Sequence, residues 1–218
     1  MNSIKRSALI AGSSGLIGAE LLQLLLNDGV YSKVYSLVRK NTGIRHPKLE
    51  EILVNFDALD ASLGSIKADD VFCCLGTTMK KAGSEAAFRK VDYDYPLALA
   101  HWAKVSGSNG FYLVSAMGAS DKSSIFYNKV KGELERDITS LGISSTAFFR
   151  PSLLLGNRIE NRPGEKAAII FAKAVGFLFV GPLKNYKAIH VTKVAKAMIE
   201  SAKSPLNGIR IVLSGEMQ

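Results

Sequence analysis

A chain of 218 residues with 47% hydrophobic and 22% charged content, free of biased or repeated tracts, can bury one substantial core and reads as a single globular domain over 1–218. The net charge of +9 would suit nucleic acid or an anionic surface, but the lysines and arginines are scattered and never interleave with aromatics, so no nucleic-acid partner is expected. The start, MNSIKRS, leaves no room for a secretory leader, and the longest apolar stretch, Ala167 to Gly181, carries Lys173 and falls short of the about 20 residues that span a bilayer. No membrane span and a cytoplasmic location are therefore expected.

In chain order, Ala8-Leu9-Ile10-Ala11 reads as a first strand, Gly12 to Gly18 (GSSGLIG) as a tight loop, and Ala19 to Leu26, with leucines on one face, as a helix. Such a unit aims backbone N–H groups and a positive helix end at one point, which suits a pyrophosphate. Gly12 would allow the turn, Gly15 the approach of phosphates and Gly18 the packing of helix on strand, although the spacing G-x-x-G-x-x-G differs from the usual G-x-G-x-x-G. Lys33 to Val38 is a second strand. An NAD-binding unit would place an acidic residue near its end, for the ribose 2′-hydroxyl; here stand Arg39 and Lys40, which can grip a 2′-phosphate, so NADP(H) is expected over NAD(H).

Leu53 to Phe56 reads as a third strand with Asp57 at its tip, in reach of an adenine amino group. Asp70 to Gly76 is a fourth, which brings Gly76 and Thr77 to the edge where open α/β sheets bind ligands. Cys73 and Cys74, adjacent in that strand, are expected to serve packing. A helix from Tyr95 to Lys104 leads to a fifth strand, Phe111 to Val114, tipped by Ser115. Alternation of strands and helices makes this an α/β protein with a doubly wound parallel sheet.

Tyr127-Asn128-Lys129-Val130-Lys131 carries a second chemical signal. Four residues apart on a helix, the Tyr127 hydroxyl and Lys131 ammonium share a face, and a nearby cation favours the phenolate that proton transfer needs. Ser115 could hold the same substrate oxygen. After Arg150-Pro151 the chain would build the substrate side over 151–218, with Phe171, Phe177, Leu178 and Phe179 as candidate apolar lining and core packing an equal alternative. His190, before an amphipathic helix at Val194 to Ala202, is read as a structural residue more readily than a substrate contact; His46 and His101 have no ligand-spaced partner, and no metal is expected. Gly208 to Leu213 is the last strand.

The blocks FCCLGTT (Phe72 to Thr78), KAGSEAAFRKVDYDY (Lys81 to Tyr95), DKSSIFYNKVKGELE (Asp121 to Glu135) and FRPSLLLGNRIENRPGE (Phe149 to Glu165), with the glycine loop and the Arg39-Lys40 pair, resemble an atypical short-chain dehydrogenase/reductase of the Tat-interacting oxidoreductase-like family, over nearly the whole chain. The resemblance implies a Rossmann fold with NADP(H) held by Ser14, Gly15, Leu16 and Ile17, by Arg39 and Lys40, and by Leu75 and Gly76. It further implies Tyr127 as proton donor or acceptor, Lys131 on the nicotinamide ribose, and Leu154 and Arg162 closing over the cofactor. Ser115-Ala116 departs from the Ser-Ser that relatives often carry, and the chain stops soon after Gly215, so tail-dependent partner binding is not carried over.

The expected function is an NADP(H)-dependent oxidoreductase acting on a small carbonyl or quinone-like substrate. The alternative is an NADPH-sensing regulator whose output is a protein partner. A nucleotide-sugar epimerase or dehydratase ranks last, since it usually carries more than the roughly 65 residues left after Arg150. A homodimer is a guess from the fold alone.

Overall fold

The computed structural model describes residues 5–64, 66–156 and 185–218. Its strands are β1 (Arg6–Ala11), β2 (Tyr31–Val38), β3 (Leu49–Leu53), β4 (Asp70–Cys73), β5 (Gly110–Val114), β6 (Ser145–Arg150), β7 (Leu154–Leu155), β8 (Ile189–His190) and β9 (Gly208–Leu213). Seven of them form one sheet in the order β3-β2-β1-β4-β5-β6-β9, every pairing parallel. The helices are α1 (Leu16–Asn27), α2 (Leu59–Leu63), α3 (Met79–Ala82), α4 (Glu85–Arg89), α5 (Tyr95–Val105), α6 (Phe126–Ser140) and α7 (Val191–Lys203).

The period of two along β1 divides the core. Ala8 and Ile10 point to the face covered by Leu21, Leu22 and Leu25 of α1 and by Val194 and Met198 of α7. Leu9 and Ala11 point to the opposite face, against Leu99 and Ala103 of α5 and Leu134 and Ile138 of α6. Cys73 is buried in this second layer, where burial pushes its thiol up to about 12, and Cys74 packs against the first; both are free thiols. The expected parallel doubly wound sheet is thus present.

The third strand lies earlier than expected. Leu49–Leu53 pairs with Val34 to Val38, whereas the expected strand, Leu53 to Phe56, shares only its first residue with it. Glu50 and Glu51 disguise the segment, but it is the sheet edge, where charge discourages pairing with another chain, and Glu50 meets Lys33 at 2.5 Å. Past Leu53 the Asn55 side chain accepts the Asp57 N–H at 3.0 Å and opens a 3-10 turn, Phe56–Ala58, which swings the Phe56 ring onto Tyr95.

At the opposite edge from the strand tips, the fully buried Asp70 carboxylate accepts from the Arg6 guanidinium and from the Tyr31 hydroxyl at 2.8 Å. Arg6 also donates to the Ala202 carbonyl at 2.7 Å, so β1, β2, β4 and the last turn of α7 meet at one polar knot. Burial pushes the Asp70 carboxyl up to about 6 from 3.8, a rise that Arg6 and Tyr31 only partly offset. A carboxyl raised in the folded state binds its proton more tightly there, so its contribution is full below about pH 4 and is lost as pH rises through about 6. Urea unfolding from pH 4 to 7 should show Asp70→Asn losing less stability than the parent chain across that window, by up to about 3 kcal/mol. Parallel pH profiles for the two proteins would refute this account of Asp70.

Candidate active site

The loop after β1 is shaped by close approach. Gly12 has φ +87°, and a Cβ there would stand 2.6 Å from the Cys74 carbonyl carbon. A Cβ on Gly18 would stand 2.1 Å from the Gly12 oxygen, so only glycine lets α1 pack against the loop that precedes it. Gly15 is the N-cap residue of α1, and no side chain caps the helix. Ser14 and Gly15 are exposed at the tip, Leu16 is half-buried and Ile17 buried, while Ser13 below accepts a hydrogen bond from Ser36 at 2.7 Å. A cradle too tight for Cβ atoms, with an uncapped helix N-terminus presenting N–H groups, fits a dinucleotide pyrophosphate.

Arg39 and Lys40 follow β2, the strand beside β1, and both are exposed; neither enters an ion pair among the described residues. Asp57 sits past β3, where its Oδ1 meets Lys90 Nζ at 2.8 Å and accepts from the Tyr95 hydroxyl at 3.0 Å. Hydrogen bonds from Lys90 and then Tyr95 hold this carboxyl below its ordinary value. The expected adenine contact is therefore left to Oδ2, which takes no bond among the described residues. Leu75 and Gly76 follow β4, against the glycine loop through the Gly12–Cys74 approach.

Tyr127 lies in the first turn of α6, exposed, with its ring 5.6 Å from that of Phe88. Lys131, one turn on, is buried and ion-paired at 2.8 Å with Asp92 Oδ1. Asp92 Oδ2 accepts the Thr77 N–H at 2.7 Å, which links the lysine to the loop after β4. Burial alone would lower the Lys131 ammonium; Asp92, then Tyr127 and Cys73, more than offset it and hold it above the ordinary lysine range.

Ser115 has partners inside the fold. Its buried hydroxyl donates to Glu135 Oε1, and Glu135 is gripped from the other side by Arg150, whose Nε donates to Oε1 at 3.0 Å and whose Nη2 donates to Oε2. The end of β6 is thereby pinned to α6. The one donor of Ser115 is spent inside the fold, so in this arrangement the hydroxyl can accept from a substrate alcohol and cannot donate to a carbonyl oxygen.

Beyond Pro151 the chain returns to the glycine loop. Leu154 pairs with Ile189 in the small β7-β8 sheet and packs, like Leu16, against the α1 core layer. His190 caps α7, its Nδ1 accepting the Thr192 N–H at 3.4 Å, in line with a structural role. Arg162, Phe171, Phe177, Leu178 and Phe179 lie outside the described residues. Asp92 and Glu135 were not singled out by the sequence reading. Glu135 continues the Tyr127-Lys131 face by four residues and could have been found so; Asp92 sits in a π-helical turn, Lys90–Asp94, for which spacing gives no signal.

Comparison with known proteins agrees with this architecture. Residues 8–217 match the NAD dependent epimerase/dehydratase family. Protein HTATIP2 of Rattus norvegicus is 37% identical over 93% of this chain and 84% of its own length. The mitochondrial protein FMP52 of Candida albicans is 33% identical over 93% of this chain and 90% of its own. Among solved structures, the Bordetella bronchiseptica enzyme WbmH in complex with NAD+ superposes with a TM-score of 0.71 at 17% identity, over 97% of this chain and 76% of that one, a likeness of fold.

The cytoplasmic expectation does not stand, because the FMP52 relatives, including that of Emericella nidulans, are mitochondrial by name. Composition and the start of the chain do not distinguish the two compartments. No helix among the described residues is long and apolar enough to cross a membrane. The resemblance carried by the four sequence blocks is borne out, and by the match over residues 8–217 and the likeness to these relatives the chain belongs to the NAD dependent epimerase/dehydratase family of short-chain dehydrogenase/reductase proteins.

Proposed function

We propose that this chain is an NADP(H)-dependent oxidoreductase that interconverts a small carbonyl or quinone-like compound and its reduced form, with Tyr127 exchanging the proton at the substrate oxygen. The observation that carries the reading is the exposed Tyr127 one helical turn from the buried, charged Lys131, at the same sheet edge as the glycine cradle. When bound, the reduced cofactor supplies the hydride that forms the new C–H bond. Tyr127 gives its hydroxyl proton to the oxygen that takes up the carbonyl electron pair, and Lys131 stabilises the phenolate left behind. In the reverse direction the phenolate removes the alcohol proton.

The cofactor choice rests on Arg39 and Lys40, whose exposed cations suit a 2′-phosphate where an acidic residue would repel it. The substrate class is supported by apolar side chains left exposed past the strand tips on the side that carries Tyr127: Met79 after β4, Met117 and Ile125 between β5 and α6, and Leu153 after β6. These three connections border one edge because β4, β5 and β6 are neighbours in the sheet. An apolar rim of this kind favours an apolar carbonyl compound over a highly hydroxylated one.

One observation favours a second reading, a regulator that reports NADPH to a protein partner. The Ser115 hydroxyl is committed to Glu135, so the constellation lacks one donor that carbonyl reduction would use.

NADPH consumption by the purified protein with aldehydes, ketones and quinones separates the two. Tyr127→Phe should lower turnover by about 100-fold or more while NADPH affinity, followed by nicotinamide fluorescence, changes by no more than about threefold. Binding without turnover on any of these substrates, or turnover indifferent to the substitution, would favour the regulator.

The double substitution Arg39→Ala/Lys40→Ala should weaken NADPH by roughly 10- to 100-fold and leave NADH nearly unchanged. Equal losses for both cofactors would remove the basis for NADP(H) preference. Gly18→Ala, whose Cβ would stand 2.1 Å from the Gly12 oxygen, should abolish binding of either cofactor and destabilise the fold by about 1–3 kcal/mol. Retention of parental affinity would show that the loop has slack that its geometry denies.

A further inference from the structure

We propose that Asp92 is a positioning residue that acts through Lys131: its carboxylate is the counter-ion that keeps the buried ammonium charged and aims it at Tyr127 and the cofactor. The link to Tyr127 and the cofactor rests on the function proposed above; the counter-ion role does not.

Both members of the pair are withdrawn from water, with Lys131 3% and Asp92 1% exposed. A lone ammonium in such a place would shed its proton, and a lone carboxylate would take one up. Each oxygen of Asp92 has a distinct partner, Oδ1 the Lys131 ammonium at 2.8 Å and Oδ2 the Thr77 N–H at 2.7 Å. Two fixed contacts leave the carboxylate little freedom to rotate, so the ammonium is held in direction as well as in charge. Gly76 closes over the pair, since a Cβ there would lie 3.4 Å from Asp92 Oδ1.

The local backbone is built for this placement. Lys90–Asp94 is π-helical between α4 and α5, and such a widened turn redirects one side chain without ending the helix. Just before Asp92, Arg89 turns to Glu133 and Lys90 to Asp57, while Asp92 alone of this turn is buried. Removing an ion pair from water is unfavourable enough that an apolar pair of similar volume would serve packing as well or better. A buried pair in contact with the strand-tip loop is accounted for by what its cation does.

The groups that act on Lys131 are few among the described residues. Asp92 faces it from the π-helical turn, Tyr127 from its own helix and Cys73, a buried thiol, from β4. Glu135, the next acidic group along α6, is taken by Arg150 and Ser115. Asp92 is thus the carboxylate on which the charge of Lys131 depends.

The direct test follows the Lys131 side-chain nitrogen by NMR in the cofactor-free full chain, assigned with Lys131→Arg, as pH rises from 6 to 10. In the parent protein the ammonium should stay protonated throughout. In Asp92→Asn its titration midpoint should fall by about two pH units or more, a roughly 100-fold gain in acidity, and Asp92→Glu should recover much of the difference. An unchanged titration in Asp92→Asn would overturn the proposal.

Should Asp92→Asn fold poorly, thermal melting keeps the question decidable. The double variant Asp92→Asn/Lys131→Met should melt above Asp92→Asn alone, because it removes the stranded charge. A double variant that melts no higher would show that Asp92 acts independently of Lys131, and the proposal would fall.

NADPH affinity separates this inference from the reading it extends. In Asp92→Asn it should decline several-fold as pH passes the new Lys131 midpoint, while the parent stays flat. A shifted Lys131 midpoint with pH-independent NADPH affinity would uphold the counter-ion role and overturn the placement of Lys131 at the cofactor.

Discussion

Strands that all run one way must all deliver the chain to the same edge, and most of the candidate site follows from that constraint. The order β3-β2-β1-β4-β5-β6-β9 reverses direction at β1. The connection leaving β1 goes to one side and the one leaving β4 to the other, which opens a crevice between their tips. Gly12 and Cys74, the first residues past those strands, are pressed together at the base of that crevice, and no side chain could occupy the contact. Arg39, Asp57, Gly76, Ser115 and Leu154 then fall at the rim because each follows a strand of the same parallel set or the connection after it. Distant parts of the sequence reach one site without any long-range loop having to find it.

Charge is arranged in two ways that serve different ends. Inside the fold it is compensated locally: Asp70 with Arg6, Asp92 with Lys131, Glu135 with Arg150. The first pair lies at the edge away from the strand tips and ties helix to sheet. The other two lie one helical turn apart on α6, where they bind that helix to the tips of β4, β5 and β6. The excess of +9 includes the exposed Arg39 and Lys40, which follow β2. On the proposed reading, an anionic dinucleotide would meet exposed cations that enter no ion pair among the described residues at one end, and a compensated cation at the other.

Legibility in the sequence tracked how local the physics was. The first strand, loop and helix are readable because periodicity switches from two to 3.6 across glycines that no other residue can replace. The last strand, Gly208–Leu213, is readable from its own run, and α6 from the spacing of Tyr127 and Lys131. The third strand was displaced because Glu50 and Glu51 are legitimate on an edge, while Leu53-Val54-Asn55-Phe56 has the apolar look of a strand but is bent by the Asn55 cap. Asp92 was invisible for a deeper reason. Its neighbours Arg89, Lys90 and Asp94 present the same charged look, and only a π-helical turn, set by tertiary packing, selects which of them is buried. Ser115 was legible in place, whereas its bond to Glu135 was not, because Glu135 lies on a helix that the strand pattern does not address.

The two ion pairs on α6 also decide what kind of freedom Tyr127 has. Lys131 and Glu135 fix successive turns of the helix to buried partners, and Ser120 N–H bonds the Asn128 carbonyl at 3.0 Å on the turn between them and the tyrosine. Backbone motion is thereby suppressed over the part of the helix that carries the cation. Tyr127 projects from the first turn, whose N-cap residue Ile125 supplies no side-chain hydrogen bond, and its ring rests on Phe88. Its hydroxyl can therefore be repositioned by side-chain rotation alone, over a distance set by the ring, while the ammonium beneath stays where it is. If Tyr127 exchanges the substrate proton as proposed, that division between a fixed charge and a pivoting hydroxyl would let one residue meet substrate oxygens of somewhat different placement without loosening the element that stabilises its phenolate.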